Sequence, residues 1–125
     1  MTGVQTCALP ILRLRRQIPY AIAAEMLLAG EDLPARRAWE LGLVNHLVPD
    51  GQALARAREI AERIAANGPL AVRAILATLR ETENLAEQEA FAIEQRHGMR
   101  VMASEDATEG PRAFLEKRPP RFQGK

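Results

Sequence analysis

Read for its apolar positions, the chain is a succession of short helical periods punctuated by proline and glycine. In "IPYAIAAEMLLAG" (18–30), Ile22, Met26 and Ala29 recur on one face, the spacing of an amphipathic helix. Pro19 stands at its entrance and Gly30 just past its end. That placement suits a residue without an N–H and one that tolerates left-handed backbone. "PARRAWELG" (34–42) repeats the device in miniature, with Pro34 entering and Gly42 leaving. Leu43 to Val48, branched and bounded by Gly42 and Pro49, predicts a short strand. Between Gln52 and Asn67, residues Leu54, Ala57, Ile60, Ala61, Ile64 and Ala65 take helical positions among charged neighbours. "NGP" (67–69) predicts a stop followed by a start, and Leu70, Val72, Ile75, Leu76 and Leu79 carry the next helix to about Arg80.

Asn84 with Glu87 three residues on forms a capping-box pattern. It predicts a helix from Leu85 to about Val101, weakened at Gly98. Ser104 predicts the cap of a last helix, with Glu105 and Asp106 in its first turn, where negative charge suits the helix dipole. "RPPRFQGK" closes the chain as an extended basic tail. The pattern is thus six helical segments and one strand, without an internal repeat. A lone strand has unpaired backbone groups on both edges. It must pair with another chain, fold imperfectly against helices or remain exposed, unless the chain is a piece of something larger.

Composition sharpens this. At 125 residues the chain is at most one domain. Its 47% apolar share comes from Ala, Leu and Ile, with only 4% aromatic residues, which favours tightly packed helices. Seventeen basic against sixteen acidic residues leave a net charge of +1, so charge gives no case for nucleic acid or a membrane surface as partner. The single cysteine, Cys7, excludes an intrachain disulfide. No apolar run approaches the roughly 20 residues of a membrane span, and the chain reads as soluble and cytoplasmic. "MTGVQTCALPI" has neither a basic n-region nor a continuous apolar core, so it does not read as a signal peptide. It resembles a translated sequencing-adapter tail, and residues 1–10 are expected to be a non-native, disordered leader.

No catalytic constellation stands out from the residues alone. His46 and His97 occur in no paired-histidine or nucleophile motif, and both read as structural: His46 on the strand, His97 facing solvent late in its helix. Glu81, Glu83, Glu87, Glu89, Glu94, Glu105, Asp106, Glu109 and Glu116 lie at helix starts or among Lys and Arg. A solvated face has that distribution, whereas acid–base catalysis needs two carboxylates converging in a water-poor cleft. "RLRRQ" (13–17) could meet a phosphate, but three arginines without a glycine-rich cradle read better as a surface helix end. No residue set implies a metal.

Four ordered blocks carry a family resemblance. "LRLRRQIPYAIAAEMLLAG", "LPARRAWELGLVNHLVP", "IAANGPLAV" and "SEDATEGPRAFLEKRPPRFQGK" resemble the enoyl-CoA hydratase/isomerase (crotonase) family, over residues 11–125. Arg15 departs from the proline usual there, and Ala29 from a threonine. The resemblance implies a mainly α chain: the C-terminal helical part of a crotonase-like ββα-spiral fold with one short residual strand. Residues 11–50 would be the tail of the spiral domain and residues 51–125 the helical lid and trimerisation region. The parent activity it implies is hydration or isomerisation of an α,β-unsaturated acyl-CoA, a lyase-type reaction of fatty acid metabolism. The CoA thioester is substrate, no cofactor is needed, and the assembly is a trimer-based homo-oligomer. In that family two backbone N–H groups stabilise the thioester oxyanion and paired glutamates move the protons. The segments that carry them match nothing here, so the chain is expected to be a truncated, inactive fragment, with a free-standing helical oligomerisation module as the alternative. Phe114 and Lys117 match positions that approach the CoA moiety in many relatives; Lys117 would serve as a point charge for a phosphate, or be an ordinary surface lysine.

Overall fold

The computed structural model describes residues 11–125; Cys7 and the expected leader lie outside them. Seven helices make up the regular structure of the described residues: α1 (Ile11–Gln17), α2 (Tyr20–Ala29), α3 (Ala35–Glu40), α4 (Ala53–Ala65), α5 (Pro69–Glu81), α6 (Glu87–Met102) and α7 (Asp106–Leu115). They fall into two compact units, one ending at Ala53 and one spanning Leu54–Lys125.

In the first unit α1 packs on α2, burying Ile18 in the link and Ala23 on α2. The proline and glycine signals act where the sequence puts them. Pro19 is the N-cap of α2, and Gly30 ends it at φ 69°, its N–H donating to the Met26 carbonyl at 3.0 Å. That left-handed geometry is costly for any residue with a Cβ. Pro34 caps α3, which buries Ala38.

The expected strand is absent. Residues 43–45 form bends and residues 46–48 run on without regular structure. A strand satisfies its amides from a neighbour, and no strand exists among the described residues to provide one. The Leu43 and Val44 N–H groups turn back instead onto the Ala38 carbonyl, at 2.9 and 3.4 Å.

In the second unit α5 packs along α6, and α6 meets α7. Pro69 opens α5 behind the N-cap Gly68. The cap expected at Asn84 is not formed. The chain leaves α5 through a tight turn in which the Leu85 N–H donates to the Thr82 carbonyl at 3.2 Å, and Ala86 becomes the N-cap of α6, without a side-chain cap. Gly98 does not interrupt α6; one interior glycine costs about 1 kcal/mol, which packing against α5 offsets. The last helix starts one residue later than expected: Glu105, not Ser104, is the N-cap of α7 and makes no side-chain cap, although the Ser104 hydroxyl oxygen just before it accepts the Ala107 N–H at 3.2 Å.

Among the described residues no large side chain is fully buried. Ile75, Leu79, Phe91, Met99 and Met102 are exposed in the second unit, Leu12, Tyr20 and Leu28 in the first. A groove of about 550 Å³ runs between α5 and α6, walled by Ile75, Leu79, Val101 and Met102. Contiguous apolar surface of this kind is unusual for a free-standing monomer.

Candidate functional site

Polar side chains converge where α7 meets the last eight residues. "RPPRFQGK" begins with two prolines after Arg118, which can neither continue a helix nor donate hydrogen bonds. The tail is therefore extended, and its free N–H groups need acceptors. Two α7 carboxylates supply them. Asp106, only 8% exposed, accepts the Gln123 N–H on Oδ1 and the Gly124 N–H on Oδ2, both at 2.7 Å. One turn on, Glu109 accepts the Arg121 N–H at 2.7 Å and binds the Arg118 guanidinium through both oxygens, at 2.6 and 3.0 Å. Forked pairing of this kind is the strongest geometry available to an arginine and a carboxylate.

Electrostatics follows from the contacts. The Arg118 hydrogen bonds, then the Arg121 N–H, hold the Glu109 carboxyl at about 2, against an ordinary 4.5. The same pairing, with a further bond to Glu116, pushes the Arg118 guanidinium still higher than usual. Phe122 lies over two glycines: a methyl group on Gly68 would meet its ring at 3.5 Å, and one on Gly110 at 3.8 Å.

Lys117 sits between α7 and this tail. Its φ of 52° makes it the one described non-glycine residue with left-handed backbone. The Lys117 N–H donates to the Phe114 carbonyl at 3.2 Å and the Arg118 N–H to the Ala113 carbonyl at 3.1 Å, a helix C-terminus of the type normally ended by glycine. Phe114 is 84% exposed and Lys117 is exposed. Both site residues expected from the sequence thus lie on the surface at one helix end, three residues apart.

The remaining candidates separate. His46 is exposed on the irregular segment that follows the bends after α3. His97 is not solvent-facing as expected: its side chain is 13% exposed, and Nε2 lies 3.1 Å from Glu81 across the α5–α6 contact, with Arg96 on the other carboxylate oxygen at 2.9 Å. The partner lies sixteen residues away in sequence, which local spacing does not reveal. Arg15 and Arg16 fall in the last turn of α1, where positive charge complements the helix dipole. Glu105, Asp106 and Glu109 border a solvent-open hollow of about 590 Å³ with Arg112, Arg118 and Arg121. The oxygens of Asp106 and Glu109 are already engaged by donors, which ties those two carboxylates to the tail. Among the described residues no group of three His, Cys, Asp or Glu could hold a metal ion, and no helix is long and apolar enough to cross a membrane.

The sequence reading missed the roles of Glu109 and Arg118. The available signal was the Pro-Pro pair, which leaves a run of backbone donors opposite an acidic helix start.

This helical array is the C-terminal helical part of a crotonase fold. The family model for enoyl-CoA hydratase/isomerase matches residues 2–125, and the chain belongs to that family. It is 56% identical over 114 residues to the enoyl-CoA hydratase EchA19 of Mycobacterium tuberculosis, covering 91% of this chain and 43% of the relative. It is 40% identical over 120 residues to a carnitinyl-CoA dehydratase of Proteus mirabilis, covering 92% and 46%. A crystal structure of an enoyl-CoA hydratase from Mycobacterium tuberculosis superposes with a TM-score of 0.88 at 48% identity, over 92% of this chain and 46% of that one. A putative enoyl-CoA hydratase/isomerase from Mycobacterium abscessus gives 0.89 at 51%, over 92% and 48%. The chain spans less than half the length of these relatives.

Proposed function

We propose that the chain is the helical C-terminal part of an acyl-CoA lyase or isomerase, whose parent reaction hydrates or isomerises an α,β-unsaturated acyl-CoA. The family match along the chain is the observation that supports this most. In the same reading Phe114 and Lys117 meet the CoA moiety, the ring against its apolar parts and the ammonium against a phosphate, and the parent works in the cytoplasm as a trimer-based homo-oligomer. Their exposure, at a helix end fixed by the tail, suits a ligand or a neighbouring subunit reaching them from outside.

The chain alone is expected to lack turnover. Hydration needs carboxylates free to accept and return a proton; Asp106 and Glu109, the acidic pair that comes together, have their oxygens engaged by the tail. Incubating the purified chain with crotonyl-CoA and following the ultraviolet absorbance of the conjugated thioester tests this. A constant signal is expected, and sustained decay at a rate proportional to protein overturns it.

The exposed Ile75, Leu79, Met99 and Met102 favour one rival, a helical oligomerisation module without catalysis. Size-exclusion chromatography separates the two: a discrete trimer supports the module, whereas polydisperse material favours a chain that needs the rest of the crotonase fold.

A further inference from the structure

Lys117 is held in a backbone conformation that lysine does not choose. Left-handed φ brings the Cβ against the following carbonyl, and a lysine there relaxes toward the right-handed or extended region unless its flanks prevent it. On one side, the helix end fixes Lys117 through its own N–H and that of Arg118, bonded to Phe114 and Ala113. On the other side, the Arg118 guanidinium is forked onto Glu109. Were Lys117 to continue as right-handed helix, residue 118 would be carried round the helix axis and its guanidinium would leave Glu109. Glu109 also holds the Arg121 N–H at 2.7 Å, so the same carboxylate fixes the chain four residues beyond Lys117.

We propose that Glu109 is a positioning residue for Lys117: through Arg118 it holds the lysine in left-handed backbone and so aims the ammonium at a CoA phosphate. This rests on the proposed contact between Lys117 and CoA. Glu109 touches no ligand itself; its own oxygens are taken by Arg118 and Arg121. The lysine is a long, flexible point charge, and fixing its backbone origin lowers the ordering cost of placing that charge.

The test is a double-variant cycle on the whole chain, read as the dissociation constant of coenzyme A by isothermal titration. Lys117→Ala and Glu109→Gln are each expected to weaken binding several-fold. The double variant should bind no more weakly than Lys117→Ala, because without the ammonium nothing remains to be aimed. Glu109→Gln keeps an oxygen for the Arg121 N–H while removing the charged half of the forked pair and leaving Arg118 its single bond to Glu116. Arg118→Ala breaks the same bridge from the other side and should reproduce the effect. The three-bond HN–Hα coupling of Lys117 should shift in both Glu109→Gln and Arg118→Ala. A Glu109→Gln affinity equal to that of the unaltered chain, with Lys117→Ala weakened, overturns the positioning role and leaves the CoA contact standing. Additive losses in the double variant overturn it as well. No effect from Lys117→Ala, or no binding by the unaltered chain, removes the CoA contact and the inference with it.

Discussion

Replacing Asp106 with asparagine changes almost nothing in shape and removes the charge on which the tail is hung. In the native chain each carboxylate oxygen accepts one backbone N–H at 2.7 Å, from Gln123 and Gly124. Asparagine keeps one acceptor and turns an NH₂ toward the other donor. Hydrogen bonds to charged groups contribute about 1.5–3 kcal/mol, and an unsatisfied buried donor costs about 1–3 kcal/mol. Losing a negative charge in the first turn of α7 adds about 0.3–1 kcal/mol. The lost bond and the unsatisfied donor are one loss counted once, so the Asp106→Asn cost is about 2–4 kcal/mol, with a ceiling: the opposed donors separate if the tail detaches, so the loss cannot exceed the free energy of docking residues 121–125. The damage should therefore be local. Amide hydrogen exchange at Gln123 and Gly124 should accelerate by about 30-fold to 700-fold, at 1.4 kcal/mol per tenfold, while the α5 and α6 amides hold their rates. Unchanged exchange at those two positions would show that Asp106 does not hold the tail. Acceleration spread evenly over α5 and α6 would show that it supports the whole unit instead.

Three further outcomes follow from the same region. Lys117→Gly should raise stability to urea by about 1 kcal/mol, since glycine accepts left-handed φ without the 1–2 kcal/mol cost of a Cβ; no gain would mean that φ 52° carries no strain. Gly110→Ala should also stabilise, by about 0.8–1 kcal/mol, from helix propensity. The added methyl would meet Phe122 at an ordinary 3.8 Å, and a fall in the urea midpoint would place the ring closer than that. Acid should release the tail. The Glu109 carboxyl is held at about 2 in the folded chain against an ordinary 4.5, so below 4.5 the unfolded state binds the proton more readily. Its stabilisation is complete above about 4.5 and drains away as pH falls toward 2. Urea midpoints across that range should decline less steeply in Glu109→Gln, and parallel declines would refute the assignment.

The opening residues of the helices were legible because their causes are local. Pro19, Pro34 and Pro69 start helices and Gly30 ends one, all through geometry confined to a few neighbouring residues. Family membership was legible for a related reason: four blocks in order, each carried by residue identities, need no coordinates. The strand at 43–48 was misread because branching and the bounding Gly42 and Pro49 report only local preference, and a strand exists only if a second one supplies its hydrogen bonds. Asn84 was misread because a tight turn through Thr82 and Leu85 removed it from the helix start.

The sequence alone determined the helical class, the placement of most helix starts and the family. Tertiary structure alone decided that His97 faces Glu81, sixteen residues back, and that two acids of α7 serve the tail, nine to eighteen residues on. It also decided that Lys117 is bent into a left-handed turn. The physical reason is distance along the chain. A helix cap or a proline acts on its immediate neighbours, whereas a carboxylate with free lone pairs takes whichever donors the folded chain brings to it, and no periodicity in the sequence records which they will be.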